Sequence, residues 1–496
     1  MTFERTTRNV AIALASAFIV LVLALSILRL AYPYEVEWME GAMMDHVVRV
    51  VHQQPIYTAP TIDFVAWLYP PLYYYAVAAV AKITGVTFLA GRLVSFVSTL
   101  LTAFLLGWIV ARSTDKRLFG FFAFALYFAS YGATGFYFDI VRNDAFFTFL
   151  VVLAAWSAIV LPRRASYVTA VILVLAFLTK QQAIFFLPAI ALWFWLRNRK
   201  SGVICALTSI ILILISLLAL NLRTHGWANY YMFRIPNAKE ADFSTIRMLD
   251  VFSNYALSTF AVSSLALIAL PVLFKERRSR SPSRTWRAFI STDPGLLLMM
   301  AIAGLVAGAF SLGNEGGYKN VMMPFVAFVL PLLPIAVHEI GENHLVFRRY
   351  VYIPILFQFI ALYFNPLSEK MLIASPHQRL GGDRFMQKLG AIPGEVFIPY
   401  HGFIATQAGK PSHAQILASI DVLRMHDSTA RRLQAEYDSA YSQHRFSAIV
   451  MEESDDFRTD SIAHYTLAGR MLSEPNVYLT RVADDATRPE FIFVPK

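Results

Sequence analysis

The sequence predicts an all-α polytopic membrane domain of about eleven transmembrane helices, followed by a small extracytoplasmic α/β domain. Three observations carry this. Of 496 residues, 57% are hydrophobic and only 15% charged, a balance that excludes an ordinary soluble enzyme. Apolar runs long enough to cross a bilayer recur along the chain, separated by short basic stretches. Past residue 366 the hydrophobicity falls, and strand-like runs mix with helical ones. The formal net charge of +10 would suggest a nucleic-acid partner in a soluble protein. In a membrane protein it reports topology, because Lys and Arg collect on cytoplasmic loops. The single cysteine, Cys205, sits in an apolar stretch, which excludes an internal disulfide and a Cys-based metal site.

Taken in order, the first apolar run, Asn9 to Ala31, is too long for a signal-peptide core and reads as a retained helix. The basic stretches are Arg5/Arg8, Arg112/Lys116/Arg117, Arg163/Arg164, Arg197/Arg199/Lys200, Lys275 to Arg287 and Arg348/Arg349. If all face the cytoplasm, each consecutive pair is joined by an even number of crossings. Parity then selects 9–32 and 88–111 as the first two spans and leaves the run 69–84 on the outer face. Residues 164–197 must cross twice, as a shallow helical hairpin broken at Thr179-Lys180-Gln181-Gln182. Continuing through 351–366 gives an odd total, so the N-terminus is inside and the C-terminal domain outside. The division is a membrane domain over 1–366, with a first outer loop at 33–87, and an extracytoplasmic domain over 367–496. In the latter, Glu395 to Pro399, Phe446 to Met451 and Phe491 to Val494 read as strands, and His413 to Met425 and Ala430 to Ser442 as helices.

The outer segments 33–87, 136–144, 221–252 and 313–320, with the 179–182 apex, hold the suggestive residues. Apolar Met39, Met43, Val47 and Val50 predict an amphipathic helix from Glu37 to His52 on the membrane surface. Glu37 and Glu40 share a face at its start. Acids favour a helix N-terminus for structural reasons alone; the functional reading is a general base or a ligand of a cation or hydroxyl. Tyr69-Pro70-Pro71-Leu72-Tyr73 reads as an interfacial aromatic belt with a sharp bend, followed by Gly91-Arg92. In Arg142-Asn143-Asp144, Asp144 is placed as the N-cap of the next helix, and Asp139 and Arg142 complete a charged cluster that is costly to bury without purpose. Lys180 is expensive between two apolar helices unless it meets an anion, and Gln181 and Gln182 add donors beside it. Tyr318-Lys319-Asn320 offers another cation and an amide at an outer helix start, with a snorkelling lysine as the plain alternative. Lys180, Lys319 and Arg142, with Arg92 or Arg234, around a few carboxylates would make a cradle for a lipid phosphate next to a base. There is no Gly-rich phosphate loop, no Gly-x-Ser-x-Gly elbow and no His-Glu-x-x-His helix. His225, His401 and His413 are scattered and read as structural or surface residues.

The order of these features resembles the GT-C superfamily of integral membrane glycosyltransferases, in particular the bacterial protein-mannosyltransferase-like and aminoarabinose-transferase-like branch. The likeness rests on Glu37 and Glu40, Gln53-Gln54-Pro55-Ile56-Tyr57, Tyr69-Pro70-Pro71-Leu72-Tyr73, Arg142-Asn143-Asp144, Lys180-Gln181-Gln182 and Tyr318-Lys319-Asn320. It implies a GT-C-like fold in a bacterial inner membrane and transfer of a sugar, hexosyl or pentosyl, from a polyprenyl-phosphate donor to a lipid, glycan or protein acceptor on the periplasmic face. It implies a base in the first outer loop, where Asp is usual and Glu37 and Glu40 stand here, with Asp144 as second acid. Lys180, Gln181, Arg142, Lys319, Asn320, Tyr69 and Arg92 become candidates for the donor phosphate and substrate. Some relatives employ a divalent metal, Mg or Mn, and others none. A direct displacement would invert the anomeric centre. A secondary transporter is the rival class, since broken helices with polar residues at the break are typical of transport sites; a noncatalytic binder of lipid-linked sugars is a third.

Overall fold

The alternation of apolar runs with basic breaks becomes a helical bundle in a computed structural model, which describes residues 2–161, 164–238, 249, 253, 287–314, 317–363, 373–452, 461–472, 477–478 and 487–496. The helices up to residue 223 are α1 (Thr2–Leu30), α2 (Glu40–Val51), α3 (Leu72–Thr84), α4 (Phe88–Thr114), α5 (Arg117–Ala129), α6 (Asn143–Val160), α7 (Ala165–Phe177), α8 (Phe186–Arg197) and α9 (Arg199–Arg223). Among the described residues seven helices are long and apolar enough to cross a membrane: α1, α4, α6, α9, Asp293–Leu312, Lys319–Asn343 and Val346–Tyr363. The chain is therefore a multi-pass membrane protein. Between the expected outer segment 221–252 and the basic loop Lys275 to Arg287, residues 254–274 lie outside the described residues, as does the loop up to residue 286.

Packing explains which helices can be short. α5 and α7 have 13 residues each and α8 has 12, about 20 Å or less of helix against a hydrocarbon core of about 30 Å. Such ends are tolerated only where protein meets them. α5 packs on α1 and α4 and buries Phe119 and Phe122 against Tyr352, and α7 lies between α6 and α9. The expected hairpin is seen as α7, a 3₁₀ turn at Gln181–Phe185, and α8. By contrast α9 displays Leu207, Ile211, Leu214 and Leu218 on the outside, an apolar surface suited to lipid.

Two local expectations are corrected. The amphipathic helix starts at Glu40, and its apolar face does not lie on a membrane: Met43, Met44 and Val47 are buried. α2 packs instead on α3 and on the C-terminal helix Gly402–Gln407. Asp144 is not an N-cap; α6 begins at Asn143, with Arg142 at the cap position and no side-chain cap. Its charge is thereby directed to other partners.

The C-terminal part is a small α/β domain. Strands β1 (Glu395–Phe397), β2 (Phe446–Met451), β3 (Tyr465–Arg470) and β4 (Phe491–Pro495) form one sheet in the order β1-β2-β4-β3. β1 and β2 are parallel, with Val396 opposite Ala448, which requires the crossover supplied by helices Gly402–Gln407, Ile416–Leu423 and Ser428–Ser442. β4 is antiparallel to both neighbours. The three strands and two helices expected here are present. β3 and helix Pro376–Ala391, which opens with a Ser375/Gln378 capping box, were not foreseen. Phe397, Leu433 and Phe446 of this domain share one apolar cluster with Met43, Trp67 and Tyr74 of the first outer loop. The domain and the loop thus have a common core.

Candidate active site

The site is built from four segments that are distant in sequence: the entry to α2, the start of α6, the α7–α8 turn and the start of the helix after residue 318. The helix breaks at these points leave short extended stretches whose side chains converge. Arg142, extended at the α6 cap, donates from Nη1 to Glu37 Oε1 at 3.0 Å. Its Nε lies 3.9 Å from Asp144 Oδ2, and Nη2 is 3.5 Å from the Tyr69 hydroxyl. Lys180, extended just before the 3₁₀ turn, donates to Asp144 Oδ1 at 2.5 Å. Asn320 reaches the same carboxylate. Asn143 donates to the Thr179 carbonyl at 3.0 Å and so ties α6 to the Lys180 turn. All six of Glu37, Arg142, Asn143, Asp144, Lys180 and Asn320 are buried. Buried charges persist only when paired, and here each is.

The two glutamates of the first loop have different surroundings. Glu40 takes a bidentate pair from Arg92, at 2.9 Å and 2.6 Å, and also the backbone N–H groups of Val36 and Val141. Both oxygens are saturated. Burial alone would raise its pKa, yet Arg92 and the two amides hold it below the ordinary value. Arg92 spends its other donors on the carbonyls of Arg29, Tyr32 and Tyr34, leaving none for a ligand. The pair is a clamp between α4, the first loop and residue 141. Among the described residues Glu37 accepts from Arg142 and the Met39 N–H. Burial pushes its carboxyl up to about 7 against the pull of Arg142, which leaves it poised near neutrality.

The remaining expected residues divide in the same way. Gln181 donates to the carbonyls of Leu68 at 2.7 Å and Met232 at 3.1 Å, stapling the first loop to the chain after α9. Gln182 donates to Ser311. Lys319 is exposed, next to the buried Asn320, and Arg234 lies at the surface 3.8 Å from Asp427. His401 and His413, expected to be structural or surface residues, are both buried and hydrogen-bond to carboxylates of the first loop, Glu35 and Asp63 respectively.

Sequence reasoning missed Arg29. At the end of α1 it is fully buried, bonded to the Tyr131 hydroxyl and 3.3 Å from Asp139, which also accepts from Tyr131 at 2.9 Å. A lone arginine between Leu28 and Leu30 in an apolar run was the available signal.

The donor set does not fit the divalent metal that the resemblance allowed. Glu37 is matched by Arg142, Glu40 by Arg92 and Asp144 by Lys180. Among the described residues no three His, Cys, Asp or Glu converge as ligands. Neutralising charge at this site comes from fixed arginine and lysine side chains.

Residues 69–223, which include Arg142, Asp144 and Lys180, match the family model described as dolichyl-phosphate-mannose-protein mannosyltransferase. The crystal structure of ArnT from Cupriavidus metallidurans bound to undecaprenyl phosphate is similar over 96% of this chain and 97% of that one, with a TM-score of 0.59 at 12% identity. The archaeal oligosaccharyltransferase AglB from Archaeoglobus fulgidus, in complex with an inhibitory peptide and a dolichol-phosphate, is similar over 90% of this chain and 70% of that one, with a TM-score of 0.50 at 11% identity. No curated protein sequence matches the chain. The chain has the fold of these two structures.

Proposed function

We propose that this protein is a membrane glycosyltransferase that moves a sugar from a polyprenyl-phosphate donor to a hydroxyl of a lipid, glycan or protein acceptor on the outer face of a bacterial inner membrane. The observation that carries the reading is the convergence of a base-poised carboxyl, Glu37, with Arg142, Asp144 and Lys180 in one buried cluster. The GT-C fold supports it, as does the relative ArnT, whose structure holds undecaprenyl phosphate.

The leaving group is a lipid phosphate, and its departure needs developing negative charge to be stabilised in place. Lys180 keeps two ammonium hydrogens beyond its bond to Asp144, and Arg142 Nε has no hydrogen-bond partner among the described residues. These donors are assigned to the donor phosphate. Glu37 accepts the acceptor's proton as its oxygen attacks the anomeric carbon, the C–O bond to phosphate breaks, and the configuration inverts. Asp144, between Lys180 and Arg142, sets the position of both cations, and Tyr69 lines the same cluster through Arg142. Glu40 and Arg92 hold the frame. The orientation places the N-terminus in the cytoplasm and the C-terminal domain outside, as the basic loops require.

The test is transfer of radiolabelled sugar from a panel of polyprenyl-phosphate sugars in proteoliposomes containing membrane extract as acceptor. Wild type transfers, and Glu37→Gln loses transfer while still binding donor. Donor binding without transfer by the wild type would leave a noncatalytic binder; no binding across the panel would favour a transporter.

A further inference from the structure

The C-terminal domain meets the first outer loop through a buried polar contact that the chemistry above does not use. His401, just ahead of helix Gly402–Gln407, turns Nδ1 to Glu35 Oε2 in a hydrogen bond, and its Nε2 lies 3.0 Å from Glu452 Oε1. His401, Glu35 and Glu452 are all buried. With a carboxylate at each ring nitrogen, the three groups must share two protons for both contacts to be favourable. Burial works against a charged imidazole, but Glu35 and Glu452 outweigh it and raise His401 to about 10, so the ring is cationic at neutral pH.

The geometry leads from this bridge to the site. The other Glu35 oxygen lies against Gly41 in the first turn of α2; a Cβ there would fall 1.9 Å from it. An acid over a helix N-terminus is favourably placed, and only glycine allows this approach. From Glu35 the chain runs at once through Val36, whose N–H binds Glu40, to Glu37 and Met39, whose N–H binds Glu37. Other contacts pin the same stretch to the same domain. Tyr34 donates to Asp383 at 2.5 Å, Gln407 to the Pro33 carbonyl at 3.0 Å, and Ser412 to Asp45 at 2.8 Å.

We propose that His401 is a positioning residue for the reaction: held between Glu35 and Glu452, it fixes residues 34–40 and thereby the orientation and local charge of Glu37. The C-terminal domain is then a working part of the active-site frame. The kinetic consequences rest on the glycosyl-transfer reading; the structural consequence does not. The titratable groups that face the bridge are Glu35 and Glu452, with Glu40 and the buried Asp45, whose carboxyl burial pushes well up, as the next titratable groups around Glu35.

The experiment compares wild type, His401→Gln, Glu35→Gln and the double variant, by amide hydrogen exchange of residues 34–44 and by the pH profile of transfer in proteoliposomes. In His401→Gln two carboxylates lose their cation. Exchange in 34–44 should quicken about tenfold or more. kcat should fall roughly 10- to 100-fold with KM for the donor lipid within about twofold. The rising limb of the pH profile, set by Glu37, should move to lower pH in both single variants: Glu35→Gln removes a negative charge that raises Glu37, and in His401→Gln the buried Glu35, already raised by desolvation with the cation beside it, takes up a proton. In the double variant, with no acid left at position 35, exchange returns toward wild type. Unchanged exchange with an unmoved limb in both single variants overturns the proposal. So does a double variant as impaired as His401→Gln. Should His401→Gln not be recovered folded, the limb in Glu35→Gln and the exchange of the double variant decide. If wild type transfers no sugar from any donor, the functional reading fails, while the exchange data still accept or reject the role of His401.

Discussion

Glu37 and Glu40 are three residues apart and equally buried, yet their chemistry differs because their partners differ. A carboxylate with both oxygens filled by a guanidinium and two amides has no lone pair aimed at a substrate proton; one with a pKa of about 7 does. Glu40→Gln should therefore act on stability, at about 3–5 kcal/mol for breaking a buried pair, readable as a lower melting temperature in detergent. Glu37→Gln should act on kcat. In the proposed reaction the deprotonated form of Glu37 is the base, so transfer should rise tenfold per pH unit below about 7 and level off above it; a profile flat from pH 5 to 8 would remove Glu37 from the role. At Lys180 two effects can be separated. Lys180→Ala strands Asp144 and should lose both stability and donor affinity. Adding Asp144→Asn should restore the melting temperature but not donor binding measured with a labelled polyprenyl phosphate, a pattern that a structural salt bridge alone would not give.

At the scale of elements, the site depends on how closely α4 approaches the irregular stretch before α6. A Cβ on Gly91 would fall 2.4 Å from Val141 Cγ1, and Val141 is the residue whose N–H binds Glu40 and whose neighbour is Arg142. Gly91→Ala should displace that stretch, costing about 1–3 kcal/mol by overpacking and lowering transfer, whereas Ala at the open turn position Gly409 should cost transfer nothing; both are read from thermal melts alongside the transfer assay. The expected α7–α8 hairpin was legible because Lys180-Gln181-Gln182 interrupts an apolar stretch too short for two ordinary spans. Its partners were not. Gln181 looked like a ligand-binding amide, and only the fold shows it tied to Leu68 and Met232. Periodicity likewise found an amphipathic α2, but not what covers it, since a membrane surface and a protein domain demand the same apolar face.

For the whole molecule, sidedness has a direct test. In a Cys205→Ser background, Asp438→Cys in the C-terminal domain should be labelled by an impermeant maleimide in intact cells, and Lys116→Cys between α4 and α5 only after permeabilisation; both positions are exposed and Cys205 is buried. The opposite pattern would invert the topology. The boundary expected near 366 from the change in composition lies outside the described residues, and the shared core of Phe397, Phe446, Met43 and Tyr74 shows that the C-terminal domain and first loop are packed together. His401 and His413 were read as scattered because their partners in the first loop, Glu35 and Asp63, lie more than 300 residues away.

The sequence by itself determined the membrane class, the bundle, the α/β appendage and which outer segments carry charge, because bilayer thickness and the cost of burying ions act on local composition and periodicity. It also named nearly every charged residue of the cluster. The tertiary structure decided the pairings: which carboxylate is locked by Arg92 and which lies beside Arg142, that Lys180 meets Asp144, that Lys319 is exposed, and that Arg29 and His401 are buried beside acids. Pairing of buried charges is a property of three-dimensional neighbours, and no spacing along the chain encodes it.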